Sequence, residues 1–251
     1  MRKTLLIAAA ALASSVISSQ AQVYSQNIVG YVNIVETANV LSLEAPPLDL
    51  DGTGTNNTIA SIYPNPATGD VVYAFNGVGY DTLTYKVNFN IGTRANPTNV
   101  TGWFNGSTPA ASYSINPGQS IFYAPTATET NTFVGMVLQG TLTNKNNGYA
   151  ASGYFGAGNY YLTSSQIPLA GGLDSVLGYV PGVGDVIYTY SSGGYDTWTY
   201  KNYAVGTRQN PTNYLGWSDG AVYAEPQISV GQGFWLNPAG GTTWVEVFTN
   251  N

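Results

Sequence analysis

The sequence predicts an all-β protein: two tandem β-sandwich-like or partly open barrel modules that follow a cleaved signal peptide. Three observations predict it. One long segment returns later in the chain at a nearly constant offset, apolar residues alternate at period two in runs bounded by Gly and Pro, and nothing after the leader has the period of a long amphipathic helix.

Residues 1–21 read as the signal peptide. Arg2 and Lys3 give the positive end, Leu5 to Ala13 the apolar stretch, and Ser19-Gln20-Ala21 the small-x-small cleavage site. The apolar stretch is shorter than the roughly 20 residues of a spanning helix, so no transmembrane helix is expected. Localisation is read as secreted, either to the cell surface and beyond or into the periplasm.

The repeat defines a first module over residues 22–137 and a second over 138–251. Gly69-Asp70-Val71-Val72-Tyr73 returns as Gly184-Asp185-Val186-Ile187-Tyr188, an offset of 115. Tyr80-Asp81-Thr82-Leu83-Thr84-Tyr85-Lys86 returns as Tyr195-Asp196-Thr197-Trp198-Thr199-Tyr200-Lys201. Gly102-Trp103 returns as Gly216-Trp217, and Pro117-Gly118-Gln119-Ser120-Ile121-Phe122 as Val230-Gly231-Gln232-Gly233-Phe234-Trp235.

Within each copy the Gly-Asp segment opens a β-hairpin, turning at Asn76 to Gly79 in the first and at Ser191 to Gly194 in the second. On the return strand Leu83, Tyr85 and Val87 fit the buried face, with Thr82, Thr84 and Lys86 opposite. Further strands are expected at Asn39 to Glu44 and Tyr160 to Ser165, each followed by Pro-Leu, and at Gln119 to Tyr123 and Gln232 to Leu236. Thr58 to Ile62 and Asp174 to Leu177 suit single helical turns. One strand type occurs three times, at Ile28 to Val32, Phe133 to Val137 and Trp244 to Phe248. The middle copy can close one module and open the next, so the modules are expected to dock.

A strand ending in Pro-Leu, a Gly-Asp-x-x-Tyr hairpin and a Pro-Gly-Gln-x-x-Phe turn together resemble the repeat modules of uncharacterised bacterial secreted proteins. In those the late turn commonly reads Pro-Gly-x-Gly-Tyr/Phe-Trp, from which this chain departs at Ser120 and Val230. The resemblance covers most of the chain after the leader and implies fold and export. It implies no reaction.

Removing the leader takes two of seven basic residues and leaves five against thirteen acidic, a net charge of −8. The basic residues are scattered, which argues against nucleic acid and anionic membrane as partners. Charged residues are 8% of the chain against about 25% in globular proteins, so the surface is neutral and rich in hydroxyls and amides.

The chain has no Cys and no His, so the usual nucleophile–base pairs cannot form and transition metals lose their favoured ligands. No Ser-x-x-Lys spacing offers a substitute. Paired carboxylates are the strongest enzymatic alternative, at Asp70 with Asp81 and Asp185 with Asp196, but both pairs read as turn anchors and strand starts. The chain is therefore expected to be no enzyme and to use no cofactor. An outer-membrane barrel fits poorly with the Pro-rich turns and with a chain end lacking a terminal aromatic residue. Asp49-x-Asp51-x-Thr53-Gly54 starts like a calcium loop, although position twelve of that frame is Ala60 rather than Glu. Asp49, Asp51 and Thr53 are thus a weak calcium candidate.

Two functions remain. The first is a structural or adhesive role with the protein itself as partner, through strand addition at Val29 and Tyr31 of the first terminal strand and Val245 and Val247 of the last. The second is binding of cell-surface glycans, with Trp103 and Trp217 as the candidate platforms because sugar faces stack on aromatic rings.

Overall fold

The computed structural model describes residues 28–144, 153–191, 194–207 and 210–249, so residues 1–21, expected as a signal peptide, lie outside the described residues. Among the described residues the chain is nearly all β, and no sheet closes into a barrel. The first half holds β1 (Val29–Glu36), β2 (Ser42–Glu44), the four-residue helix α1 (Ile59–Ile62), β3 (Val71–Phe75), β4 (Tyr80–Asn90), β5 (Asn99–Asn105), β6 (Thr108–Pro109), β7 (Ile121–Ala124) and β8 (Glu129–Met136). The second half holds β9 (Gly140–Thr143), β10 (Tyr154–Phe155), β11 (Tyr161–Thr163), β12 (Gly171–Gly172), β13 (Val186–Ser191), β14 (Gly194–Thr207), β15 (Asn210–Ser218), β16 (Gln227–Ile228), β17 (Phe234–Asn237), β18 (Thr242–Thr243) and β19 (Val245–Phe248).

Each half builds one main antiparallel sheet with matching order, β2-β7-β3-β4-β5-β6 in the first and β11-β17-β13-β14-β15 in the second. Local chemistry accounts for the joints. The β3–β4 turn closes because the Asn76 side-chain oxygen accepts the N–H groups of Val78 and Gly79, while Gly77 takes φ +96°. Helix α1 starts at a reciprocal cap: Ser61 N–H donates to Thr58 Oγ1, and Thr58 N–H donates to Ser61 Oγ. Asp174 to Leu177, expected as a helical turn, form hydrogen-bonded turns back to Gly172 without a helix.

The alternation in β4 holds only as far as Tyr85. Register shifts between Lys86 and Phe89, with Asn88 at φ +52°, and this bulge leaves Val87 exposed rather than buried.

The terminal strands pair within each half. β1 runs antiparallel to β8 along its whole length, from Val29 opposite Met136 to Glu36 opposite Glu129. β9 pairs with β19 in the same way, from Gly140 opposite Phe248 to Thr143 opposite Val245. The expected sharing of Phe133 to Val137 between modules is therefore corrected: β8 closes the first module and a separate strand, β9, opens the second. Each module is zipped by its own first and last strands, which satisfies both sets of inner-edge backbone groups.

Two cores result. Ile59, Val72, Leu83, Trp103, Ile121 and Tyr123 are among the residues filling the first. Phe155, Leu173, Ile187, Trp217, Phe234 and Trp244 are among those filling the second. A third cluster joins them: Leu43 and Phe122 from one side meet Leu162 from the other, with Tyr73, Phe75, Tyr190 and Trp235 packed around them.

Candidate functional site: an aromatic trough at the module junction

The junction follows from the strand period. In β3, Val72 and Ala74 point into the module's own core while Tyr73 and Phe75 stand on the opposite face, and in β13 Ile187 does the same against Tyr188 and Tyr190. That opposite face carries a row across the first sheet, Leu43, Phe122, Tyr73 and Thr82, matched in the second by Leu162, Trp235, Tyr188 and Thr197.

The two faces dock reciprocally. Glu44 bridges to Gln232 and Thr163 bridges to Gln119, although each contact joins β2 or β11 to the glycine turn of the other module. Ala45 N–H donates to Gly231 O at 2.8 Å and Ser164 N–H to Gly118 O at 3.2 Å. Phe75 meets Trp235, and Phe122 meets Tyr190. Equivalent residues exchanging equivalent contacts is the pattern of an isologous dimer, here within one chain.

The rings do not all become buried. Tyr80, Tyr160, Tyr188, Tyr195 and Trp235 line an open trough of about 360 Å³. Four of them stand on one face of the second sheet, since Tyr160 precedes Leu162 by two residues and Tyr195 precedes Thr197 by two. Tyr80 reaches the trough from the first module. Burial and the nearby Tyr195 push the Tyr80 hydroxyl up to about 12, and a hydrogen bond shared with Tyr160 raises Tyr188. Tyr80 and Tyr188 thus present neutral hydroxyls at neutral pH. Tyr160 lies 5.9 Å from Tyr188 and 6.5 Å from Trp235 between ring centroids, and Tyr188 lies 6.4 Å from Tyr195. Tyr80, Tyr160 and Tyr195 are each about half exposed. The position equivalent to Tyr160 in the first module is Leu41, so the matching face there lacks this ring.

The expected platforms lie elsewhere. Trp103 and Trp217 are 2% and 3% exposed, because both sit on the core face of β5 and β15. Trp103 packs 5.6 Å from Tyr85, and Trp217 packs 5.3 Å from Tyr200. Neither can offer a face for stacking, and the reading of this pair as sugar platforms is corrected by their burial.

The calcium candidate is corrected as well. Asp49 Oδ2 accepts the N–H groups of Asp51 and Gly54, and Asp51 takes Thr53 and Asn56. Those bonds from Thr53 and Asn56 hold the Asp51 carboxyl down at about 2. The carboxylates serve their own loop, and among the described residues no cluster of three or more acidic side chains is arranged to hold a metal.

The duplicated acids separate by role. Asp70 is buried and accepts from Tyr123 Oη at 3.0 Å, Ala67 N–H at 2.6 Å and Thr126 N–H at 2.7 Å. Asp185 repeats this with Tyr179 Oη at 2.6 Å, Gly182 N–H at 2.7 Å and Ala239 N–H at 2.8 Å. Asp81 instead accepts from Asn76 and Tyr113. The Asp70 carbonyl bonds Tyr85 N–H, four residues along β4 from Asp81, so the two acids stand about 13 Å apart along the sheet. That exceeds the span of a glycosidase pair.

Of the predicted edge residues, Val29, Tyr31 and Val247 are 65%, 74% and 67% exposed and Val245 is 38%. One edge of each parent strand is already taken, by β8 and by β9.

No family model, curated protein or solved structure matches the chain.

Proposed function

We propose that this chain is a secreted, non-catalytic binding protein that holds an uncharged glycan in the aromatic trough at its module junction. The single observation that carries the reading is the set of five rings, three of them half exposed, around one open trough. A sugar offers flat C–H faces to such rings, and its hydroxyls meet the tyrosine tips, so the trough supplies apolar contact and hydrogen bonds together. Among the described residues no carboxylate or cation lines the trough, which favours a neutral chain over a charged one. The lack of His and Cys, and the structural employment of Asp70 and Asp185, support the non-catalytic part.

The test is a glycan array followed by titration calorimetry on the bound glycan, with Tyr160→Ala and Tyr195→Ala beside the wild type. Each variant is expected to weaken binding at least tenfold while leaving the fold intact. Binding untouched by both, or an array without any ligand, would overturn the reading.

A second reading, self-association, is favoured by one patch. Val29, Tyr31 and Val35 of β1 and Val134 of β8 are all more than half exposed on the same two-stranded sheet. Light scattering over a concentration series tests it: growth of the particle that Tyr31→Glu abolishes supports a structural role, and a concentration-independent monomer removes it.

A further inference from the structure

A second pocket, of about 420 Å³, opens beside β14 and β15 of the second sheet, lined by none of the trough's rings. Its wall includes Tyr200 and Tyr203 of β14, Trp217 of β15, Tyr223 and Glu225 of the following loop, and Asp174. Tyr223 lies flat on Tyr203, ring centroids 3.9 Å apart and planes 11° from parallel. At the other end Glu225 accepts the N–H groups of Asp174 and Ser175 at 2.6 Å each, and the Ser175 hydroxyl at 2.7 Å.

The repeat shows which of these groups the fold requires. Thr58 bridges to Ser114 in the first module, and Gly172 pairs with Gln227 in the second, so Asp174 and Glu225 occupy the positions of Ala60 and Ser112. The first module caps its turn with Thr58 and Ser61 and needs no acid. The second caps the same turn with Glu225, which gives that carboxylate a structural duty. Asp174 has none. It sets a second carboxyl against Glu225, and its Oδ1 is buried without a protein partner. Trp217 also leaves its indole N–H buried and unpartnered in the wall of this pocket. Trp103 does so in the first module, and hence the acid pair is what the second module adds.

We propose that this pocket is a separate binding site for a small organic ammonium ligand that also carries a hydroxyl, an amino sugar or amino alcohol by class. The ammonium would meet the bare Asp174 Oδ1 and the Glu225 carboxylate, a hydroxyl oxygen would accept from Trp217 Nε1, and the carbon frame would lie against Tyr203 and Tyr223. Aromatic faces add attraction for a cation, and the volume suits a monosaccharide-sized molecule. Burial first, and then Glu225, push Asp174 up to about 6, while bonds from Asp174 and Ser175 outweigh burial and hold Glu225 below its usual range. The remaining titratable groups of the wall are the phenols of Tyr200, Tyr203 and Tyr223. The pocket therefore gains a full negative charge as pH rises through 6, and cation binding strengthens with it.

The test is calorimetry on the full chain with glucosamine, and with glucose as the same frame lacking the charge, at pH 5 and pH 7.5. Glucosamine is expected to bind at least tenfold more tightly than glucose, more tightly at pH 7.5 than at pH 5, and at least tenfold more weakly to Asp174→Asn. Tyr223→Ala, which removes an exposed ring, serves if the Asp174 variant does not fold. Equal binding of the two sugars, or glucosamine binding unchanged in both variants, would overturn the proposal. Tyr160→Ala in the trough should leave glucosamine binding unchanged; a loss there would place the amine in the trough and equally end this assignment.

Discussion

Phe75 of the first module and Trp235 of the second meet edge to face, ring centroids 4.9 Å apart and planes at 77°. The reciprocal contact, Phe122 on Tyr190, has its centroids 5.7 Å apart and its planes at 90°. An isologous joint built on such pairs should show itself in energetic coupling between residues 160 positions apart in sequence. In a double-mutant cycle by urea unfolding, Phe75→Leu and Trp235→Leu are expected to couple by about 0.5–1.5 kcal/mol beyond their separate burial terms. Additive losses would mean that the modules touch without holding one another.

The two buried aspartates should fail alike. Asp70 and Asp185 each gather a tyrosine hydroxyl and two backbone N–H groups, tying the start of β3 or β13 to the loop beyond β7 or β17. Alanine at either position strands those donors in the core, a loss of about 2–4 kcal/mol each. Thermal unfolding checks it, and a variant that stays within 0.5 kcal/mol (an approximate surface-substitution range) would show the anchor to be dispensable.

The repeat, the hairpins and the turn role of Asp70 and Asp185 were readable in the sequence because they are local: period two, Gly at the turns, Asp before a strand. Trp103 and Trp217 misled because a Gly-Trp step beside a Pro-Thr-Asn loop looks exposed, whereas both lie on the inward face of a strand. Parity within β5 gave no help, because Thr101 and Asn105 on the same face are polar and exposed; Trp103 is buried because it stands opposite Tyr85 of β4 over the core. The trough was harder to see. Tyr73 and Phe75 alternate with Val72 and Ala74, an apolar face on both sides, which means that something covers each side; only the docked fold shows that the cover is the other module and that Tyr160 and Tyr195 remain uncovered.

Burial first, and then Glu36, raise Glu44 well above the ordinary carboxyl range, against the opposing bond from Tyr63. Burial likewise raises Glu129 and Glu246. A group whose folded value lies above its unfolded value favours the folded state below the unfolded value and loses that contribution as pH rises through the folded one. Stability should therefore fall from mildly acidic toward alkaline pH. Asp51, held down at about 2, has the opposite sign and acts only below pH 4, weakly, because it is exposed. Glu44→Gln is expected to flatten the decline in melting temperature measured through a buffer series from mildly acidic to alkaline pH. A decline of the same slope in the variant would assign it to other groups.

Backbone strain and docking come apart at the glycine turns. Gly231 has φ +72°, and a Cβ there would stand 2.8 Å from Ile34 Cδ1 and 3.3 Å from Ala45 O. Gly220 has φ +98° with nothing within 4 Å of such a Cβ. Alanine at Gly220 thus costs only the left-handed backbone, about 1–2 kcal/mol. Alanine at Gly231 adds a clash against the segment it docks on, bringing the loss to about 2–5 kcal/mol. Gly118, at φ +88° with a Cβ 2.8 Å from Gln166 Cγ, should behave as Gly231 does, because it makes the mirrored contact. Gln119 and Gln232 close these turns from within, each side-chain oxygen accepting the N–H three residues back, from Asn116 and from Ser229. Equal losses at Gly118, Gly220 and Gly231 on chemical unfolding would show that glycine serves only the turn. A graded loss, small at Gly220 and large at the other two, would show why the repeated glycine must come twice: each copy is the surface on which the other module rests.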